Sequence, residues 1–202
     1  MGEEQAWEKS KWTSNFWNWR PTDSLKANKQ TQFKMLRDDQ NLYILIEAMT
    51  GGSNFTTPNL KRDFEWYQSD SVTLLFDTFS DATNAFSFAT NPLGLKADGL
   101  ISGGNQNFRT DRNNAWDTKW TVETTIEEGK YTVEIKIPFS AFFYDNTQTS
   151  WRFNLYRRDF EGNETSVWAQ TPQNQVIGNL GFMGKMIFET PLKKARNPIS
   201  II

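Results

Sequence analysis

Two residue types are missing altogether from the 202-residue chain, which has no cysteine and no histidine. Without cysteine there is no disulfide framework, no thiol nucleophile and no thiolate-bound zinc. Without histidine there is no Ser-His-Asp triad, no imidazole-bound metal and no ordinary neutral-pH proton shuttle. Catalysis would fall to carboxylates, Lys, Tyr or a bound ion, so both absences weigh against an enzyme. An excess of charge of one sign is lacking too. The 22 Lys and Arg nearly balance 24 Asp and Glu, for a net charge of −2 and a pI near 5.3. That argues against the broad basic face of a general nucleic-acid binder. No apolar run approaches the roughly 18 residues of a membrane-spanning helix. The opening "MGEEQAWEKSKW" is charged from the start, unlike a secretory leader, and is what a piece excised from a longer chain would show.

What the chain does hold is aromatic. Phe, Trp and Tyr make up 15% of it, with nine Trp and sixteen Phe, a composition suited to a sheet-rich protein with an aromatic core or a stacking surface. The length fits one domain, able to bury roughly 70% of its unfolded surface without help from a metal. The dominant period is two. "TQFKML" (31–36) and "NLYILIEAM" (41–49) flank the polar turn "RDDQ". In "KYTVEIKIPF", Tyr131, Val133, Ile135 and Ile137 alternate with Thr132, Glu134 and Lys136 until Pro138 ends the ladder. "KWTVETTIEEGKYTVEIKI" reads as a hairpin with Glu127-Glu128-Gly129-Lys130 at its tip. Further strands are expected at 71–78, 85–90, 95–101, 151–158, 164–169 and 181–189, and helical turns only near 3–9 and 139–143. About ten short strands with polar turns predict an all-β, antiparallel two-sheet β-sandwich over 3–190. Ile44, Ile46, Val72, Leu74, Phe76, Phe86, Val133, Ile135 and Leu155 are its predicted core. Residues 191–202, "PLKKARNPISII" from its second residue on strongly basic, read as an exit segment or linker toward a region further along.

Six stretches in order carry a resemblance: "DDQNLYILIEA", "YQSDSVTLLFDT", "EEGKYTVEIKIPF", "RFNLYRRD", "VWAQTP" and "IGNLGF". Together they resemble family 9 carbohydrate-binding modules over nearly the whole chain. The stretch "SDSVTLLFDTFSDATNAFSFATNPLGLKADG" is most similar to the amino-terminal domain of large bacterial outer-membrane proteins of unknown function. In those proteins a signal peptide precedes the domain and a membrane β-barrel follows it. The resemblance implies a two-sheet sandwich, a glycan or cell-surface polysaccharide as partner, structural calcium, and an exported domain in the periplasm, outer membrane or cell surface.

The resemblance also suggests where to look for a site. Two tryptophans clamp a terminal sugar in the sugar-binding modules, because pyranose C–H faces stack on aromatic planes while hydroxyls need a few fixed polar partners. The first maps to Trp66 or Tyr67 and the second to Trp168, with capping of the core as the other reading of both tryptophans. The acidic residue expected on the "DSV" strand falls at Thr73 and the arginine of the next strand at Ala89, so both charges are missing here. Asn154 and Arg157 are candidate replacements, although Arg157 and Arg158 also suit salt bridges to Asp159 or Glu161. Asp77, Asp81 and Asn84 place oxygen ligands within eight residues, and Asp98 follows; this is a candidate calcium site or plain turn chemistry. The Asn-rich stretch 102–120 is long enough to be functional and carries Trp116 as a candidate contact. The preferred reading is a non-catalytic glycan-binding domain. An accessory or protein-interaction domain of an outer-membrane barrel is the alternative, and a two-carboxylate glycosidase comes last.

Overall fold

The computed structural model of the chain describes residues 6–8, 10–52, 55–58, 60–107 and 110–192. Its twelve strands are β1 (Trp17–Arg20), β2 (Thr31–Arg37), β3 (Asn41–Met49), β4 (Ser71–Asp77), β5 (Ala85–Thr90), β6 (Lys96–Ile101), β7 (Arg112–Asn113), β8 (Thr121–Glu127), β9 (Lys130–Pro138), β10 (Ser150–Asp159), β11 (Glu164–Val167) and β12 (Gly184–Ile187). They form two antiparallel sheets. The larger runs β1-β11-β10-β4-β5-β6-β7, with β12 paired to the first half of β10, and the smaller runs β2-β3-β9-β8. This is the predicted sandwich. Sequence reading missed β1 and β7, both of four residues or fewer.

In the smaller sheet the predicted alternation is realised residue by residue. Leu42, Ile44, Ile46 and Ala48 of β3 and Tyr131, Val133, Ile135 and Ile137 of β9 are all buried. They meet Val72, Leu74 and Phe76 of β4, Phe86 and Phe88 of β5, and Trp151, Phe153 and Leu155 of β10. All nine predicted core residues lie in this inter-sheet layer. The β8–β9 hairpin turns at Glu128-Gly129, where Gly129 adopts a φ of 80°, a region that favours glycine.

The larger sheet is covered on both faces. Every residue of β4 and β5 is buried, so these strands lack the wet face of an ordinary sandwich sheet. On the outer side Leu75, Ala85, Ala89, Ala97, Ile101, Tyr156 and Val167 pack under Ile177, Leu180 and Met183 of the 171–183 segment, with Phe64 and Trp66 alongside. Leu192 still packs against the inter-sheet core, so the sandwich reaches at least two residues into the expected exit segment. The rest of that segment, 193–202, lies outside the described residues, as do most of 3–9; Ala6–Glu8 are helical.

Candidate functional site

The segment leading into β4 is tightly stapled. Asp63 N–H donates to Lys96 C=O at 2.9 Å, Gln68 N–H to Glu65 C=O at 3.0 Å, and Ser71 Oγ to Trp66 C=O at 2.9 Å. Buried Asp70 accepts from Thr56 N–H at 2.7 Å and Phe160 N–H at 2.9 Å. These bonds fix a short 3-10 turn at Trp66–Gln68. Trp66 is only 7% exposed, its ring 4.9 Å from that of Tyr156 and 5.9 Å from that of Tyr67. Tyr67 is 42% exposed.

The opposite wall comes from β7. This short strand crosses so close to Gly99 that a Cβ there would lie 2.9 Å from the Asn113 carbonyl oxygen. In its pairing with β6, Arg112 stands opposite Ile101, whose side chain belongs to the outer cluster, so Arg112 falls on the outer face of the sheet. Its Nε donates to Asn114 Oδ1 at 2.7 Å, and its guanidinium lies beside the Tyr156 hydroxyl. Burial raises the pKa of that phenol, and the Arg112 charge opposes the shift. Together Asp63, Phe64, Glu65, Trp66, Tyr67, Ala97, Asp98, Arg112 and Asn114 enclose a cleft of about 210 Å³. Burial raises the Asp63 pKa, with Arg62 lowering it and Asp98 and Asp117 adding to the rise. The cleft thus offers an aromatic edge, a cation, an amide and two rim carboxylates, which can both donate to and accept from a hydroxylated ligand.

The remaining residues singled out by sequence lie elsewhere. Trp168 is half-buried and packs on Phe33 at 5.5 Å and Phe153 at 5.7 Å in the inter-sheet layer. Trp66 belongs to the outer cluster, so the two tryptophans do not face each other as a clamp. Asn154 is buried and uses its amide on backbone, donating to Ala169 C=O at 3.1 Å and accepting from Ala169 N–H at 3.0 Å. Arg157, 1% exposed, reaches Lys29 C=O and Thr31 Oγ1 and lies 5.7 Å over the Tyr131 ring. The expected bridges to Asp159 and Glu161 are made by Lys29, at 3.1 and 3.2 Å. Trp116 packs on Phe86 and Phe88.

The acidic turn spends its oxygens on its own backbone. Asp77 Oδ1 accepts from Ser80 N–H at 2.7 Å and Phe79 N–H at 3.2 Å, and Oδ2 from Ala82 N–H at 2.8 Å. Asp81 accepts from Thr83 N–H, and Asn84 is exposed. Asp98 accepts from Arg62 at 2.6 Å and Thr118 N–H at 2.8 Å. Among the described residues no three acidic side chains gather to hold a metal ion. The hydrogen bonds that Asp77 and Asp81 make are those of turn chemistry.

A family model described as "Carbohydrate family 9 binding domain-like" matches residues 2–189. The chain belongs to that family. Its members are non-catalytic binding modules, in keeping with the missing His and Cys. Solved structures share the fold, among them the following three. A protein from Bacteroides uniformis named for carbohydrate binding has a TM-score of 0.72 at 10% identity, over 93% of this chain and 90% of that one. A family 9 module from Caldicellulosiruptor kristjanssonii in complex with glucose scores 0.64 at 17% identity, over 95% and 91%. A family 9 module from the same organism in complex with cellotriose scores 0.65 at 18% identity, over 96% and 90%. No curated protein matches the sequence. No helix among the described residues is long and apolar enough to cross a membrane.

Sequence reasoning singled out Trp66 and Tyr67 on one wall of this cleft and did not single out Arg112 and Asn114 on the other. Both sit in the 102–120 stretch, and the pairing of β7 with β6 brings them to the cleft that Trp66 lines. A readable signal was the stretch itself, too long to be an idle connection.

Proposed function

We propose that the domain binds a saccharide in the Trp66–Tyr67/Arg112 cleft, with Tyr67 and the rim of Trp66 against a sugar C–H face. Arg112, Asn114, Asp63 and Glu65 supply the hydrogen bonds to hydroxyls. The observation that carries this reading is the placement of Arg112 opposite the aromatic pair. It restores a fixed cation to an outer face where Thr73 and Ala89 supply none. Hydrogen bonds to a charged group contribute roughly 1.5–3 kcal/mol each, so Arg112→Ala should weaken binding about tenfold to a hundredfold. Titration calorimetry with glucose and cellotriose on the wild type, Arg112→Ala and Tyr67→Ala tests this. Affinity unchanged in both variants would overturn the cleft assignment.

From the sequence resemblance we further propose that the domain is exported and works at the bacterial outer membrane or cell surface, ahead of a β-barrel. Surface proteolysis of cells making the full-length protein tests that placement. An accessory role without sugar is favoured by one observation, the packing of Ile177, Leu180 and Met183 over the outer face. Absence of binding across a glycan array would put it first.

A further inference from the structure

The outer face of the smaller sheet carries a second, larger cleft of about 440 Å³. Its floor is one cross-strand row, since Leu36 pairs with Tyr43, Tyr43 with Lys136, and Lys136 with Thr121. The next row on that face places Glu134 directly opposite Glu123, and both line the cleft. Trp7 closes one side. Its segment is tied down where Lys34 Nζ donates to Trp7 C=O at 2.9 Å and Ser10 Oγ to Met35 C=O at 3.2 Å. Arg37 and Asp38 of the β2–β3 turn also line it, and Asp38 accepts from the Tyr43 hydroxyl at 2.8 Å.

The chemistry of these walls narrows the ligand. Glu123 and Glu134, exposed side by side on neighbouring strands, present carboxylate oxygens that can accept from hydroxyl donors. Two cations, Arg37 and Lys136, stand in the same cleft as three carboxylates. This mixture of signs repels a polyanion and offers no uniform field to a polycation. Trp7, Tyr43 and Leu36 add apolar area, and the volume falls within the roughly 300–1,000 Å³ of small-molecule sites. A neutral ligand rich in hydroxyls, with donors for the carboxylates, acceptors for the cations and a C–H face for Trp7, satisfies every wall.

We infer that this cleft is a second saccharide site, taking a neutral pyranose unit between Trp7 and the Glu123–Glu134 pair. It lies on the outer face of the smaller sheet, whereas the first cleft lies on the outer face of the larger one, on the other side of the sandwich. The cross-bridging role rests on the proposed function of the first cleft: the domain then joins two glycan chains, and on a dense glycan surface two weak sites combine by effective concentration.

The test is an NMR titration of the intact domain with cellotriose and with the corresponding mannose and galactose trisaccharides. With at least one of them, amide shifts at Leu36, Tyr43, Glu123 and Lys136 should follow a saturating curve. Those shifts should be lost in Trp7→Ala, weakened at least fivefold in Glu134→Gln, and kept in Arg112→Ala and Tyr67→Ala. Loss of the first-cleft shifts alone would sink the proposed function and leave this site standing. No saturable shift in the second cleft with any of the three sugars, or shifts that survive Trp7→Ala, would overturn the inference.

Discussion

The two sheets of this sandwich solve opposite problems. The smaller has one dry face and one wet face, and its strands alternate accordingly: β3 and β9 bury every second residue. The larger has two dry faces, and β4 and β5 are buried throughout. A sheet face already filled by Ile177, Leu180 and Met183 has no room for a ligand at its centre. The candidate cleft of the larger sheet therefore lies at its β6–β7 end, where the 63–67 segment and β7 leave a gap. The smaller sheet, open to water, can carry a cleft directly on its strands.

If the outer cluster of the larger sheet is a second core, removing one of its side chains should cost as much as removing one between the sheets. Leu180 is fully buried, and Leu180→Ala is expected to destabilise by about 2–5 kcal/mol, as is Leu74→Ala between the sheets. Urea denaturation compares the two. A cost below about 1 kcal/mol at Leu180 would show the cover to be loose. Trp168→Ala, which removes a ring packed on Phe33 and Phe153, is expected to lower stability by about 3 kcal/mol or more while leaving cellotriose affinity in the Tyr67 cleft intact.

Acid–base behaviour should separate the sheets more gently. Burial raises the pKa of Glu164, which opens β11 opposite Asp159 in the larger sheet, with Asn28 opposing the shift and Asp159 adding to it. Glu47 of the smaller sheet is lowered; burial opposes the shift, but hydrogen bonds from Lys130 and Gln32 outweigh it. A raised carboxylate binds its proton more tightly in the folded state, so its contribution is fully present below 4.5 and is lost as pH rises through the folded value. A lowered one contributes above 4.5, and that contribution is lost as pH falls through its folded value. Denaturation between pH 3 and 7 should thus show less stability lost on raising pH in Glu164→Gln, and less lost on acidification in Glu47→Gln. The same slope in both variants would mean that the sheets do not differ in this way. The smallest effect is expected from metal removal: with the Asp77 oxygens taken by backbone N–H groups, the melting temperature should be the same in EDTA and in millimolar calcium. A rise of several degrees with calcium would place an ion in this domain after all.

How much was legible in the sequence follows the same division. Alternation in β3 and β9 fixed both the strands and the face each residue buries, because one side of the smaller sheet meets water. β4 and β5 were readable as strands, yet nothing in "SVTLLFD" or "AFSFAT" tells which apolar residues face the other sheet and which face a covering loop. Trp66 and Trp168 lie beyond strand ends, where period two no longer assigns a side. They were accordingly paired by resemblance, although they occupy separate layers. For Arg112 the length of the 102–120 stretch was the signal, but the residue itself was not singled out, because its position depends on a two-residue strand pairing with β6, a tertiary contact with no period of its own.

The central claim is that sugar binds beside Tyr67 and Arg112 at the β6–β7 end of the larger sheet. A crystal structure of the domain grown with cellotriose tests it most directly. The account predicts a sugar ring against Tyr67 with a hydroxyl within hydrogen-bonding distance of the Arg112 guanidinium. A sugar stacked on Trp168, or seated over Thr73 and Ala89 after displacement of Leu180, would contradict it.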